Sequence, residues 1–321
     1  MKFEIQILGS SSALPTSKRF PSAQVVSYNN TPMLVDCGEG TQIQLRKYGI
    51  SFLQIEHIFI SHLHGDHYFG IFGLLTSMNM LGRKKALHLY APPELHKILN
   101  SIWRLTATAL LFEVKFHPLN SPDFVLLVET RYLMVYSFPL EHSKANWGFK
   151  FCEKQFPPKI KKEAIEMYKP GIAEIHEIKQ GNDLVLFDGT IIPNEELVFD
   201  SPQPRTYTYC SDTLYIKNLH DRVGEVDVLY HEATFASDAE ALAKATFHAT
   251  ASQAAMVAKC TNAKALIIGH YSTRYPSVEF LRHEALQVFQ PVFLAEEGTC
   301  FIIDQQTRLL SISNDEDKKK P

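Results

Sequence analysis

Five predicted strands run into residues that bind metal ions or exchange protons, and this pattern constrains the fold more than any other feature. Apolar runs at 57–60, 132–138, 206–209, 226–230 and 265–268 each lead within a few positions to histidine, aspartate or glutamate. Short apolar runs of this kind are typical of buried strands. If the ends of these strands meet at one edge of the fold, they build a single site.

The rest of the chain mixes strands with helices. Further strands are predicted at 23–26, 33–35 and 87–90, and residues 2–8 alternate between apolar and polar as in a half-buried strand. Helical patterns cover 70–81, 94–105, 250–259 and 278–288. Strands interspersed with helices favour sheets that are covered by helices, which is an α/β layered architecture.

Composition narrows the class of protein. The 321 residues include five cysteines without CxxC spacing, which predicts neither a disulfide framework nor a cysteine-rich metal site. No secretory signal and no run long enough to span a bilayer is evident, so we expect a cytoplasmic protein without membrane attachment. The net charge of -3 argues against a generally basic surface but is compatible with a local nucleic-acid-binding patch.

The segment from His62 to His67, with the sequence HLHGDH, has three imidazoles and one carboxylate within six positions. On a loop that leaves a strand, His62 and His64 can face one metal ion while Asp66 and His67 turn toward a second. Nitrogen and oxygen ligands of this kind suit zinc. Asp36, at the end of an earlier strand, is a candidate to orient a ligand imidazole from behind.

HLHGDH, together with the later EHS, CSDT and GHYSTRY, resembles the metallo-β-lactamase superfamily. The order of these motifs over nearly the whole chain resembles the ribonuclease Z family within it. The resemblance implies a four-layer αββα sandwich with two Zn²⁺ per subunit at the edge of the sheets. It also implies a ligand set in three parts: His62, His64 and His142 for the first ion, Asp66, His67 and His270 for the second, and Asp212 as the bridge.

Two further strings, HEATF and TFHATASQAA, resemble the ribonuclease Z family more narrowly. They contain Glu232 just after a strand and His248 just before a helix that Thr250 is placed to cap. The resemblance implies that His248 is a general acid and that Glu232 holds its imidazole in the right orientation and charge state. In this interpretation Asp66 accepts the proton of the attacking water, and the adjacent His231 is structural.

The predicted function is removal of the 3′ trailer from precursor tRNA, which leaves a 3′-hydroxyl on the tRNA and a 5′-phosphate on the trailer. The alternative is a hydrolase of the same fold that acts on a small phosphodiester, a thioester or a lactone. A third hypothesis is an RNA-binding protein whose metal site only stabilises the fold. A structural zinc site is normally closed by four protein ligands and needs no extra acid and histidine, which argues against the third.

The remaining expectations concern RNA contacts and domain organisation. The lysine-rich segment 152–181 is expected to leave a core domain of residues 1–312 as a protruding arm, and 313–321 to be a disordered charged tail. The resemblance also suggests a homodimer in which the arm of one subunit serves the site of the other. The candidate phosphate contacts are Lys18 and Arg19 near the N-terminus, Lys154, Lys159, Lys161, Lys162 and Lys169 in the arm, and Arg274 after His270.

Overall fold

Two large β-sheets face one another in the computed structural model, which describes residues 1–313. The strands are β1 (Phe3–Gly9), β2 (Ala23–Tyr28), β3 (Thr31–Val35), β4 (His57–Phe59), β5 (Leu87–Ala91), β6 (Val114–Pro118), β7 (Val125–Glu129), β8 (Leu133–Leu140), β9 (Asn146–Glu153), β10 (Lys159–Ile160), β11 (Leu184–Val185), β12 (Ile191–Ile192), β13 (Val198–Phe199), β14 (Thr206–Cys210), β15 (Val228–Glu232), β16 (Ala265–Gly269), β17 (Val292–Leu294), β18 (Cys300–Ile303) and β19 (Leu310–Ile312). The predicted tail begins at Ser313, and its remaining residues, 314–321, lie outside the described part.

The helices fall mainly between strands. They are α1 (Thr41–Lys47), α2 (Gly65–Tyr68), α3 (Ile71–Met80), α4 (Pro93–Leu105), α5 (Lys162–Tyr168), α6 (Ile172–Lys179), α7 (Asn194–Leu197), α8 (Leu219–Val223), α9 (Glu240–Ala245), α10 (Ala251–Cys260) and α11 (Glu279–Leu286). Short 3₁₀ turns at Phe52–Gln54 and Ser237–Ala239 complete the described secondary structure. Along this range no helix is both long enough and apolar enough to cross a membrane.

The first sheet has the strand order β19-β18-β1-β2-β3-β4-β5-β6, and the second has the order β17-β16-β15-β14-β9-β8-β7. Strands β3 to β6 pair in parallel, as do β14 to β17. Parallel strands that are covered on both faces consist of continuous apolar runs. Strand β16 is an example, because its sequence ALIIG is buried at every position. Since parallel strands end at the same edge, the polar residues that follow them converge.

Three apolar clusters fill the layers of the sandwich. Between the sheets, side chains of β1 and β4 such as Ile5 and Phe59 pack against Phe149 and Tyr207 from β9 and β14, and the rings of Phe59 and Phe149 lie 5.3 Å apart. Helices α1, α3 and α4 cover the outer face of the first sheet, and α8, α10 and α11 cover that of the second. The predicted αββα arrangement is confirmed.

A separate unit, here called the insertion, occupies residues 154–205 between β9 and β14. Strands β10 and β13 pair at its base, with Lys159 opposite Phe199. A small core of its own contains Ala164, Ile178, Leu184 and Leu197. The lysine-rich segment 152–181 corresponds to the first half of this unit, which continues to its return at Thr206.

The root of the insertion is tied to both sheets by one buried ion pair. The guanidinium of Arg205 contacts both carboxylate oxygens of Glu153, at 2.9 and 3.0 Å, and donates to the carbonyl oxygens of Ile303 and Met1. Both side chains are almost fully buried. Breaking such a pair by removing one partner leaves an uncompensated buried charge and costs about 3–5 kcal/mol.

Several elements had no clear sequence signal. Strand β9 was missed because Gly148 and Lys150 interrupt its apolar pattern, although Lys150 is buried and donates to the Val223 and Glu225 carbonyls. The short helix α1 also escaped prediction. By contrast, α10 begins where predicted, because the Thr250 side chain accepts from the backbone N–H of Gln253 in a capping box. No disulfide joins the five cysteines, all of which lie in the described range.

Candidate active site

The residues of the predicted metal site come together where the edges of the two sheets meet. Strand β4 of the first sheet leads into His62, His64, Asp66 and His67. From the second sheet, β8 leads to His142, β14 to Asp212 and β16 to His270, while Glu232 is the last residue of β15. The site therefore depends on both sheets and on their docking.

One group of donors combines three imidazoles with a carboxylate. Nδ1 of His64 lies 3.0 Å from Nε2 of His62 and 3.1 Å from Nε2 of His142. Oδ2 of Asp212 lies 3.6 and 3.8 Å from the same two Nε2 atoms. These four residues offer ligand atoms within 4.8 Å of one another.

A second group lies on the other side of the same aspartate. Oδ2 of Asp66 is 3.5 Å from Nε2 of His67 and 3.4 Å from Nε2 of His270. Oδ1 of Asp212 faces these two imidazoles at 3.4 and 3.2 Å. Each oxygen of Asp212 thus points to one group, which is the position expected of a bridging carboxylate.

Metal ions fit this arrangement on two counts. Nε2 of His67 and Oδ1 of Asp212 are buried atoms without a hydrogen-bond partner, although buried polar atoms are normally paired. Imidazole nitrogens converging on carboxylate oxygens are also the donor set of open zinc sites. A cation within each group would satisfy these buried atoms and offset the repulsion between the closely spaced imidazoles.

Asp36 holds His67 from behind. Its Oδ2 lies 2.8 Å from Nδ1 of His67 and also accepts hydrogen bonds from the hydroxyls of Tyr209 and Ser61, at 2.6 and 3.0 Å. Its Oδ1 accepts from the backbone N–H of Ser61. The backbone of Asp36 has a left-handed φ of 55°. The contact between Oδ2 of Asp36 and Nδ1 of His67 fixes the tautomer of His67 so that Nε2 faces the donor group.

Two other imidazoles are oriented in the same manner by groups outside the donor set. Nδ1 of His142 lies 2.8 Å from the carbonyl oxygen of Phe247, to which it donates. Nδ1 of His270 lies 2.8 Å from the hydroxyl of Thr234. In both residues Nε2 is thereby left to face the donor groups.

The buried Glu232 and the partly buried His248 form a pair beside the second group. Oε1 of Glu232 lies 2.9 Å from Nδ1 of His248 and accepts from the backbone N–H of Thr213 at 2.9 Å. Its Oε2 accepts from the N–H and the hydroxyl of Thr234. Although burial favours the neutral imidazole, the carboxylate of Glu232 raises the pKa of His248 to about 9. His248 can therefore carry a proton at neutral pH.

The pKa shifts of Asp66, Asp212 and His62 are in the directions that metal ligation needs, whereas at His67 burial lowers the pKa but the carboxylates of Asp212, Asp66 and Asp36 raise it well above its ordinary value. Burial alone favours a protonated carboxyl at Asp66, but the neighbouring imidazoles of His67 and His270 hold its pKa well below the usual range. Asp212 behaves in the same way, again because of His270 and His67. Burial lowers the pKa of His62 well below its ordinary value. The carboxylates are therefore ionised and His62 is neutral.

A loop near the N-terminus, residues 10–21, closes one side of the site. The backbone N–H of Ala13 donates to Oδ2 of Asp66 at 2.7 Å. Glu297 fastens both ends of the loop, since its Oε1 accepts from the N–H and hydroxyl of Ser10 and from the N–H of Phe20, each at 3.1 Å. Burial raises the pKa of Glu297.

The predicted RNA contacts fall into two places. Lys18 and Arg19 lie on the 10–21 loop, where Arg19 packs over the ring of Tyr271 and donates to the Tyr275 carbonyl. Arg274 is exposed and lies over the ring of Phe235. These three residues come from segments that border the site.

The insertion lysines lie elsewhere. Strand β9 begins near the site, where the Asn146 side chain donates to the Asp212 carbonyl, and ends at the root of the insertion. The seven intervals between its eight residues, at about 3.4 Å each, place that root roughly 24 Å from the site. Two of the five lysines have structural contacts: Lys154 pairs with Glu129 at 2.6 Å, and Lys161 donates to the Glu195 carbonyl. Lys159, Lys162 and Lys169 are the other three.

A cavity of about 520 Å³ opens beside the donor groups. Its polar lining includes His64, Asp66, Asp212, His248 and His270. The 10–21 loop and the segment after Asp66 supply the apolar remainder. The cavity gives a substrate direct access to both donor groups and to His248.

Sequence reasoning missed several residues that position the site. Thr234 lies within the HEATF string and Ser61 directly before HLHGDH, so their place in the motifs was a usable signal. The Ala13 N–H, the Phe247 carbonyl and the Thr213 N–H are backbone groups, which side-chain identity does not reveal. His231 is buried, and its Nδ1 contacts the Glu232 carbonyl oxygen at 2.6 Å, away from the donor groups.

Comparisons with known proteins agree with this architecture. A ribonuclease Z of Phocaeicola vulgatus is 42% identical over 296 residues, which cover 92% of this chain and 96% of the relative. The crystal structure of the short form of human tRNase Z superimposes with a TM-score of 0.67 at 26% identity and covers 92% of this chain and 98% of that one. The metallo-β-lactamase fold protein YhfI of Bacillus subtilis also has a TM-score of 0.67, at 17% identity, and covers 94% of this chain and 99% of its own.

A family model described as anti-Pycsar protein Apyc1 matches residues 3–111. This range contains β1 to β5 and the HLHGDH segment, so the match concerns the first sheet and the ligands that follow β4.

Two facing sheets with outer helices, and a site of imidazoles and carboxylates at their common edge, define a hydrolase of the metallo-β-lactamase fold. Within that class, the identity to curated relatives extends over nearly the whole chain. The chain belongs to the ribonuclease Z family. The predicted family and the predicted enzyme class, an endoribonuclease that hydrolyses phosphodiester bonds, are confirmed.

Proposed function

We propose that this enzyme removes the 3′ trailer from precursor tRNA and does so with two zinc ions per subunit. The products are a tRNA with a 3′-hydroxyl and a trailer with a 5′-phosphate. The observation that carries the proposal is the contact between the buried Glu232 and His248, because His248 faces the same cavity as the donor groups. Relatives that are named ribonuclease Z or tRNase Z support the choice of substrate.

His62, His64 and His142 would hold one ion, and Asp66, His67 and His270 the other, with Asp212 between them. Bound zinc supplies positive charge that lowers the pKa of a water molecule toward 7 and offsets charge on the phosphoryl oxygens. Neutral imidazoles and ionised carboxylates are the states required for ligation, and they are the states that the site favours at His62, Asp66 and Asp212.

The remaining chemistry belongs to the side chains. Asp66 accepts the proton of the attacking water, and the Ala13 N–H keeps this carboxylate in place. The departing sugar 3′-oxygen is a poor leaving group and needs a proton. Glu232 binds Nδ1 of His248, so Nε2 is the atom that delivers this proton. General acid catalysis of this kind contributes about 10²–10⁴-fold.

The direct experiment is incubation of the purified protein with end-labelled precursor tRNA, followed by mapping of both product ends. A cut at the junction between tRNA and trailer, with a 3′-hydroxyl upstream and a 5′-phosphate downstream, is the expected result. Cleavage at scattered positions, or hydrolysis of a small phosphodiester without any cut in precursor tRNA, would favour the alternative, a small-molecule hydrolase.

A matched pair of histidine variants accompanies this experiment. His62→Ala removes a buried member of the first donor group and should abolish cleavage and reduce the zinc content measured by elemental analysis. His283→Ala changes a histidine whose side chain is 68% exposed on α11 and should leave both values unchanged. Full zinc content in the His62 variant would contradict the proposed ligand set.

Three further proposals follow from family membership. The insertion is proposed to contact the body of the tRNA through Lys159, Lys162 and Lys169, away from the cut. A homodimer in which this unit serves the partner's site is proposed as well, and multi-angle light scattering of the purified protein measures that state. A cytoplasmic location is the third of these proposals.

A further inference from the structure

The cavity beside the donor groups has an apolar part that the proposed chemistry does not use. Leu14, Pro15 and Phe69 line it together with the ligand side chains. Leu14 and Phe69 are 61% and 55% exposed, so both offer apolar surface to a molecule in the cavity. Phe69 is the aromatic residue among them, and it follows the HLHGDH segment by two positions.

Phe69 is held in a fixed position although it is largely exposed. Its ring lies against Gly65, so that a Cβ atom placed on Gly65 would come within 2.3 Å of the ring. The ring of Tyr68 meets it edge-on at 4.9 Å. A ring that is already fixed in this way loses little conformational entropy when a ligand binds to its free face.

The distance between Phe69 and the donor groups can be judged from its position relative to Asp66. Phe69 caps the C-terminus of helix α2 with helical backbone angles, and Asp66 lies three residues earlier. Residues three apart on a helix have Cβ atoms about 5–6 Å from one another. The ring is therefore within one nucleotide's length of a phosphate bound at the donor groups.

We propose that Phe69 is a stacking platform for a nucleobase that flanks the scissile phosphate. The ligand class is an unpaired nucleotide of the RNA substrate, and the inference rests on the proposed function for the identity of that RNA. Stacking on an aromatic ring contributes about 1–3 kcal/mol per base and tolerates every base, because each has a π face. Phe69 would hold the strand at the cut without reading its sequence.

The test combines variants of Phe69 with modified substrates. Phe69→Ala, Phe69→Leu and Phe69→Trp are compared on precursor tRNA and on precursors with an abasic nucleotide on either side of the scissile bond. Phe69→Ala and Phe69→Leu should raise KM about tenfold with a smaller effect on kcat, whereas Phe69→Trp should retain the wild-type KM. With an abasic nucleotide at the stacked position, wild type and Phe69→Ala should have the same KM.

Phe124→Ala is the matched control, because Phe124 is 41% exposed and precedes β7, a strand at the edge of the second sheet. It should leave KM unchanged. A Phe69→Ala variant with unchanged KM, or a Phe69→Leu variant indistinguishable from wild type, would overturn the proposal. Failure of the proposed function is a separate result, because it shows as the absence of precursor cleavage by the wild-type enzyme.

Discussion

Glu232 shows how one residue can position a catalytic site without contacting the substrate. Its two oxygens accept hydrogen bonds from Thr213 and Thr234 and contact His248, and no part of the residue is exposed. A buried carboxylate with this many partners has a single orientation. It therefore fixes which nitrogen of His248 faces the cavity and favours the protonated imidazole.

The proposed role of His248 as general acid predicts a dependence of the rate on the leaving group. His248→Ala should reduce cleavage of precursor tRNA by about 10²–10⁴-fold, because the sugar oxygen must be protonated as it departs. The same variant should lose far less activity on bis(p-nitrophenyl) phosphate, whose leaving group is stable as an anion. Steady-state rates on both substrates measure the difference, and equal losses would remove His248 from the role of general acid.

At the scale of elements, the 10–21 loop and Glu297 form a connected unit. Glu297 precedes β18, yet it fastens the two ends of a loop whose Ala13 N–H contacts Asp66. Removing the carboxylate leaves the N–H groups of Ser10 and Phe20 without this acceptor. The loop would then lose the position from which it holds Asp66.

Glu297→Ala is therefore expected to lower kcat for precursor tRNA about tenfold or more. Glu297→Gln keeps an oxygen acceptor and should recover most of that rate. Glu296→Ala, at the exposed neighbouring position, provides the control and should have wild-type kinetics. Rates of the Glu297→Ala variant that equal those of the wild type would show that other contacts are sufficient to hold the loop.

Much of the site was predictable because its residues directly follow strands that the sequence predicts. The apolar runs before His62, Asp212 and His270 predicted strand ends, and motif order supplied the grouping of ligands. What escaped prediction depends on the backbone or on contacts distant along the chain. The Ala13 N–H contacts Asp66 across 53 positions, and Glu297 reaches Ser10 across 287, so neither contact leaves a local pattern.

The extent of the insertion was harder to predict than the sandwich. Its apolar core is small, and its strands have two residues each, so hydrophobic periodicity is weak. Charge was also misleading as a guide to the whole unit. Residues 159–199 contain five lysines but eight acidic residues, so the basic character is confined to its first part.

At the scale of the whole molecule, the donor groups couple the two sheets. His62 and Asp66 follow a strand of the first sheet, and His142, Asp212 and His270 follow strands of the second. Bound metal should therefore stabilise the docked sandwich. At a free zinc concentration 1,000 times the Kd, the gain is about 4 kcal/mol.

Chelation of metal should lower the Tm of the wild-type protein, and added zinc should restore it. Differential scanning calorimetry measures the shift. Asp212→Ala removes the residue shared by both donor groups, so its Tm should respond much less to chelator. An unchanged wild-type Tm after complete metal removal would mean that the ions do not hold the sheets together.

The separation of the insertion from the site predicts that the two can be uncoupled. Lys159 and Phe199 are cross-strand partners about 5 Å apart, so a short Gly-Ser linker can replace residues 160–198. The shortened enzyme should hydrolyse bis(p-nitrophenyl) phosphate at the wild-type rate but bind precursor tRNA more weakly. Electrophoretic mobility shift measures binding, and an equal loss of both properties would show that the insertion supports the sandwich itself.

The Arg205–Glu153 pair determines where the insertion can bend. The guanidinium joins the end of β9, the approach to β14 and the end of β18, so this root is rigid. Any swing of the insertion has to start beyond it, in residues 154–158 and 200–204. If tRNA displaces the distal part of the insertion, these two segments would absorb the movement. The positions of the imidazoles in the active site would then change little.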